Sequence, residues 1–261
     1  MPLTPPSIPK AGRGLFVTGT DTQVGKTTVT AALGLALQRL GLDIGVMKPV
    51  ETGTALQETG LHNDGTLLRH LFTPQERKEL ITPYQYEKAL APLEAARHAQ
   101  SAIRFEVIAE AYRTLSTRHE YMLVEGVGGI LAPLALQLDV RDLIKLLQLP
   151  CLLVSRTELG TVNHTRLTLE ALHDYGIPIR AIVLNETRSP QNSPDQLLQR
   201  ESSIKLIRQF CPVPIFGPMP FQNNLEGDWE AGVTILSRLP ITQDLAAMIR
   251  PGARENPEVT S

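Results

Sequence analysis

Short apolar runs alternate with longer stretches in which apolar residues return every three or four positions. The runs are Leu15-Phe16-Val17, Ile44 to Val50, Tyr121 to Val124, Cys151 to Val154, Ile179 to Leu184 and Val213 to Phe216. Bounded by Gly, Pro, Asn or Asp, such runs predict strands buried on both faces. Helical period appears from Lys26 to Leu40, after Asn63 (Leu67, Leu68, Leu71), from Pro92 to His98 and from Phe105 to Leu115. It returns from Asp139 to Leu147, from Gly160 to Tyr175, up to Phe210, and in one or two segments after Phe221. The alternation predicts an α/β fold: a doubly wound, mostly parallel sheet of about seven strands flanked by helices.

Turn residues divide these elements. Gly41 and Gly176 predict helix stops, and Asn63 or Asp64 predicts a helix N-cap. Residues 54–62 and 189–197 read as polar loops, Lys48 to Gly53 as a strand end that turns, and Gly217 to Phe221 as a turn. The proline-rich residues 1–13 and residues 251–261 read as loose tails around one domain spanning 14–250.

Composition narrows the class. A net charge of −2 argues against nucleic acid or an anionic membrane as the main partner. No apolar run approaches spanning length, and the first ten residues lack the core of a secretion signal. Cys151 and Cys211 sit in or beside apolar runs and read as buried thiols, so the expected compartment is the cytoplasm.

The chemistry starts at Gly19-Thr-Asp-Thr-Gln-Val-Gly-Lys-Thr27, a glycine-bearing loop between the first strand and the first helix. That context predicts a phosphate-binding loop of the P-loop NTPase type. Backbone N–H groups at the helix N-terminus face the anion, Lys26 meets the β- and γ-phosphates, and the Thr27 hydroxyl is placed for Mg²⁺. Five residues separate Gly19 from Gly25, one more than in the common form.

In an open parallel sheet, ligands gather at the carboxyl ends of the strands. Those ends carry Lys48 with Thr52, then Glu125 with Gly126, Gly128 and Gly129, then Arg156 to Asn163, then Asn185. Glu125 reads either as a Mg²⁺ carboxylate or as a capping or solvated glutamate. Lys48 reads either as a second cation for charge arising beside the γ-phosphate or as a solvent-facing lysine before a turn.

Five blocks in order resemble the dethiobiotin synthetases, ATP-dependent ring-closing enzymes of biotin synthesis. They are the loop from Gly19, Lys48-Pro-Val-Glu-Thr-Gly53, Val124-Glu-Gly-Val-Gly-Gly129, Leu159-Gly-Thr-Val-Asn-His-Thr-Arg-Leu-Thr168 and the Asn185 strand end. The match runs from about Gly14 to about Ala231, and the long phosphate loop is that family's own form.

The resemblance implies a ligase that carboxylates 7,8-diaminopelargonate with CO₂, phosphorylates the carbamate with ATP and closes the ureido ring. It implies catalytic roles for Lys26, Lys48 and Thr20, and Mg²⁺ held by Thr27, Asp64 and Glu125. Nucleotide contacts would come from Gln23, Val24, Gly25, Lys26, Thr27, Thr28, Asp64, Glu125, Gly126, Val127 and Gly128. Asn185 would read the adenine edge, with Pro218, Met219, Pro220 and Phe221 walling the base. Thr20 and Thr52 would meet the substrate. Gly160, Thr161, Val162 and Asn163 would receive its carboxylate across a homodimer interface.

Departures from the family pattern are Val127 at a position more often small, Thr52 where serine is also found, and Glu186 following Asn185. Two rivals fare worse. A partitioning-type ATPase would carry a lysine early in the phosphate loop, where this chain has Thr20-Asp21-Thr22. An amidase-coupled synthetase would need a glutaminase domain with a nucleophilic cysteine.

Overall fold

The structure is a computed structural model that describes residues 14–54, 63–189 and 193–252. Both expected tails, apart from residues 251 and 252, and nearly all of the 54–62 loop lie outside the described residues.

The central sheet has six strands, all parallel: β1 (Gly14–Gly19), β2 (Ile44–Met47), β5 (Tyr121–Gly129), β8 (Cys151–Ser155), β9 (Ile179–Asn185) and β10 (Ile215–Met219). Their order is β10-β9-β8-β1-β5-β2. Two small ladders stand apart from it. β3 (Val50–Thr52) pairs in parallel with β4 (Tyr84–Tyr86), and β6 (Pro133–Ala135) pairs antiparallel with β7 (Leu138–Asp139). The expectation of about seven strands thus resolves into six.

Side chains alternate across the sheet, as the pleat requires. Leu152 and Val154 enter the larger apolar core, whereas Leu153 between them enters a smaller one with Leu169, Ile204 and Ile207. Ala181 and Val183 of β9 likewise face one core, and Ile182 and Leu184 the other. Both faces are therefore covered, which is what unbroken apolar strands demand.

The helices are α1 (Lys26–Arg39), α2 (Asp64–Phe72), α3 (Lys78–Ile81), α4 (Pro92–His98), α5 (Phe105–Ser116), α6 (Val140–Leu147), α7 (Thr161–Asp174), α8 (Pro194–Phe210), α9 (Trp229–Ser237) and α10 (Pro240–Ile249). On α5, Phe105, Ile108, Tyr112 and Leu115 are all buried, as their spacing predicts. Asp139 caps α6 through the Arg141 N–H, with Asp142 completing a capping box.

Three boundaries differ from the sequence reading. Lys48 to Gly53 does not simply turn: the chain bends at Pro49 and Val50 to Thr52 extend again as β3. The polar 189–197 loop ends early, because Ser193 caps α8 and Pro194 takes its first position. Gly217 to Phe221 is not a free turn, since β10 continues through Met219 with a cis Gly217–Pro218 bond. Proline is tolerated there because β10 is an edge strand with no outer neighbour needing its N–H. Gly217 is required: at φ 122° a Cβ would sit 2.5 Å from the Leu184 carbonyl oxygen.

Candidate active site

The strand order builds the site. β5 lies between β1 and β2, with Val17 beside Glu125 and Met47 beside Val124. The phosphate loop, the end of β5 and Lys48 therefore converge at one edge.

Gly25 has φ 85° and hands the chain into α1, whose first residue is Lys26. A side chain is excluded there, because a Cβ would fall 2.1 Å from Asn185 Nδ2. Asn185 is buried, and its Nδ2 donates to the Val24 carbonyl at 3.0 Å. Through that bond the end of β9 braces the phosphate loop.

Lys26 is buried, and its Nζ donates to the carbonyls of Asp21 and Gly128, both at 2.9 Å. Burial, reinforced by the neighbouring Lys48, lowers its ammonium to about 8. Lys48 is 3% exposed, so it is not a solvent-facing lysine. Its Nζ lies 2.5 Å from Glu125 Oε1, 3.0 Å from Asp64 Oδ2 and 3.1 Å from the Gly126 carbonyl. Burial works to discharge Lys48, but Asp64 and Glu125 prevail and hold its ammonium above the ordinary lysine value. Two cations thus hang from carbonyls two residues apart on β5.

Glu125 is fully buried, which removes the solvated reading. Its Oε1 also accepts the Thr27 hydroxyl at 2.9 Å, while its Oε2 is buried with no hydrogen-bond partner. Burial raises the Glu125 carboxyl above the usual range, against the pull of Lys48. At Asp64, desolvation is overturned by the Lys48 ammonium and the Thr27 hydroxyl, which hold its carboxyl below that range.

An unpartnered buried carboxylate oxygen, a second carboxylate and a threonine hydroxyl suit Mg²⁺, which takes few protein oxygens and keeps water and phosphate oxygens for the rest. No group of three or more His, Cys, Asp or Glu suited to a metal occurs among the described residues.

Other expected site residues are placed less centrally. The Thr20 backbone N–H donates to the Val154 carbonyl at 3.0 Å, and Thr52 is half-buried on β3. Gly160, with φ 91°, starts α7 with Thr161, Val162 and Asn163 in its first turn. Gly160, Val162 and Asn163 line a groove between α7 and α8 with Arg166 and Leu198. Among the described residues no hydrogen bond joins these three to the lysine cluster. Met219 is buried, its carbonyl accepting the Glu186 N–H, while Pro218, Pro220 and Phe221 are half-buried. Glu186 forms an ion pair with Arg200, so its carboxylate is already engaged.

Two residues carried no role in the sequence reading. Arg156 reaches Asp21 of the phosphate loop at 3.3 Å from the end of β8. Glu51 is 4% exposed and accepts the Asp64 N–H at 2.5 Å. Burial, with Asp64 close by, pushes the Glu51 carboxyl up to about 7. A glutamate in a three-residue strand beside proline gives little sequence signal, because exposed glutamates are common there.

Comparison with known proteins gives the family. A family model described as an AAA domain matches residues 13–228. The ATP-dependent dethiobiotin synthetase of Thermodesulfovibrio yellowstonii is 38% identical over 237 residues, spanning 87% of this chain and 96% of the relative. That of Anaeromyxobacter dehalogenans is 46% identical over 197 residues, spanning 76% and 86%. Among solved structures, the MinC:MinD cell division protein complex of Aquifex aeolicus aligns at a TM-score of 0.51 with 14% identity, covering 91% of this chain and 94% of that one. Apo McdA of Cyanthece aligns at 0.51 with 14% identity, covering 91% and 97%. Likeness at such identity establishes the fold alone; the sequence relatives carry the family. With its phosphate loop, paired lysines and buried glutamate on one sheet edge, the chain belongs to the ATP-dependent dethiobiotin synthetases, ligases built on the P-loop fold.

Proposed function

We propose that this chain converts 7,8-diaminopelargonate, CO₂ and ATP to dethiobiotin, ADP and phosphate. The observation that carries the reading is the pair of buried lysines. ATP binding alone calls for one, Lys26, whereas Lys48 is held by Glu125 and Asp64 beside the same loop. A second fixed cation supports chemistry in which another anion lies against the γ-phosphate.

A carbamate is such an anion. One amine of the substrate adds to CO₂ and gives up a proton, leaving a carbamate oxygen as nucleophile. That oxygen takes the γ-phosphoryl group and ADP leaves. The second amine then attacks the carbamoyl carbon and gives up a proton, the carbon–oxygen bond to phosphate breaks, and the ureido ring closes with loss of phosphate. Nothing is oxidised or reduced. Most of the rate comes from alignment and from charge set in place beforehand.

In this reading the two lysines neutralise charge that spreads over the transferring group, and the loop N–H groups hold the phosphates. Thr20 and Thr52 position the diamine end. Thr27, Asp64 and Glu125 would hold Mg²⁺, which would offset the negative charge of the phosphates. Asn185 and the Pro218–Phe221 segment contact the adenine. We also infer a homodimer in which the first turn of α7 in one subunit receives the substrate carboxylate of the other, since N–H groups at a helix start favour an anion.

The test follows ADP and product mass with Mg-ATP and bicarbonate, with and without the diamine. The reading requires ADP release that depends on both co-substrates, and a product lighter by one water than diamine plus CO₂. ADP release indifferent to the diamine would overturn it.

A further inference from the structure

Glu51 lies outside every role assigned above, yet it is among the least exposed carboxylates of the molecule. It sits in the middle of β3, paired in register with Gln85 of β4. Its Oε2 accepts the Gln85 amide at 3.3 Å, and its Oε1 accepts the backbone N–H of Asp64 at 2.5 Å. Asp64 is the first residue of α2, so this N–H is one of those a helix leaves without an internal partner.

The local cap does not serve that end of the helix. Asn63 stands at the N-cap position, but its side chain makes no capping bond, and its Oδ1 is buried with no partner. The cap comes instead from β3, through the Oε1 of Glu51. The seat is tight as well: a Cβ on Gly65 would stand 2.0 Å from Thr82 Oγ1. The start of α2 is thus held from two sides. What it carries is the Asp64 carboxylate, 3.0 Å from Lys48 Nζ.

We propose that Glu51 is a positioning residue for the metal–phosphate site. By accepting the Asp64 N–H from β3, it fixes where the Asp64 carboxylate stands relative to Thr27 and Lys48. It thereby sets how strongly Mg²⁺ assists nucleotide binding. A burial that would otherwise be costly is explained by this role, since an unpaired interior carboxylate is expensive and a neutral cap at Asn63 would suffice for helix stability alone. The inference rests on the Mg²⁺ site proposed above.

The test is calorimetric binding of a non-hydrolysable ATP analogue, in EDTA and in excess Mg²⁺, to the full chain and to Glu51→Ala, Glu51→Asn and Glu51→Gln. Glu51→Ala should lose about tenfold of the enhancement that Mg²⁺ gives, as expected when a partner of a metal ligand is removed. Its affinity in EDTA should stay within about twofold of the parent. Glu51→Gln keeps an acceptor at full reach and should retain most of the enhancement. Glu51→Asn, one methylene shorter, should behave like Glu51→Ala and serves if the alanine variant does not fold. Full Mg²⁺ enhancement in Glu51→Ala or Glu51→Asn would overturn the role of Glu51 and leave the metal site standing. A parent protein whose affinity ignores Mg²⁺ would overturn both.

Discussion

Lys48 Nζ lies 2.5 Å from Glu125 Oε1, with both side chains withdrawn from solvent. Such a pair is a poor source of stability against an apolar alternative, because desolvating two charges costs about what their attraction returns. Breaking it from one side is another matter. Its presence beside the phosphate loop, where Glu125 Oε1 also accepts the Thr27 hydroxyl, is therefore not explained by stability alone.

Lys48→Ala should keep ATP affinity within about tenfold while turnover falls by about 10²-fold or more. The same change strands Glu125 without its cation and should destabilise the fold by about 3–5 kcal/mol. Lys48→Ala combined with Glu125→Gln should recover much of that stability without recovering turnover. Nucleotide binding and thermal unfolding of the three proteins check this. Equal losses of affinity and turnover would reduce Lys48 to a nucleotide contact.

Glu125→Gln keeps the acceptor for Thr27 but removes the charge. The Mg²⁺ concentration for half-maximal turnover should rise by about tenfold. An unchanged Mg²⁺ titration would remove Glu125 from the metal site.

Gly25→Ala should weaken nucleotide binding sharply. The left-handed backbone at φ 85° costs a side chain about 1–2 kcal/mol, and the new Cβ would collide with Asn185 Nδ2. Adding Asn185→Ala relieves the collision but not the backbone strain, and it also cuts the Nδ2 bond to the Val24 carbonyl. The double variant should therefore recover only part of the affinity, as equilibrium titration would show.

Lys26 supplies a pH dependence whose sign is fixed. Its ammonium is lowered to about 8, and phosphates beside it would raise that value, so binding ADP takes up a proton once the pH passes 8. With the metal chelated, affinity should be level below about pH 8 and then fall by up to about tenfold per pH unit until the bound-state value is reached. Lys26→Arg, charged throughout, should show no such fall. Equal parent affinities at pH 7 and pH 9 would contradict the assignment.

The sheet was legible because most of its strands are built around short apolar runs, as Cys151 to Val154 and Ala181 to Leu184 are, and these runs alternate between two cores. The phosphate loop, Lys48 and Glu125 were legible because strand ends share an edge in any parallel sheet. Less visible were partnerships that depend on tertiary approach. That Glu125 holds Lys48, that Asn185 braces Val24 and that Glu51 caps α2 each joins residues distant in sequence. Pro218 misled in a different way: it reads as a turn, but an edge strand has no outer partner to miss its N–H. Ser193-Pro194 was readable as a helix start, but the polar, exposed first turn of α8 looked like more loop.

The reaction sequence is tested most sharply by the fate of the carbon dioxide oxygen. The purified protein would be supplied with ¹⁸O-labelled bicarbonate, the diamine and Mg-ATP, and the released phosphate examined by mass. Phosphorylation of a carbamate predicts ¹⁸O in the phosphate, because the carbamate oxygen that accepts the phosphoryl group leaves with it when the ring closes. Phosphate free of label, with dethiobiotin still formed, would show that ATP acts elsewhere and would contradict a role for Lys26 and Lys48 in phosphoryl transfer to a carbamate.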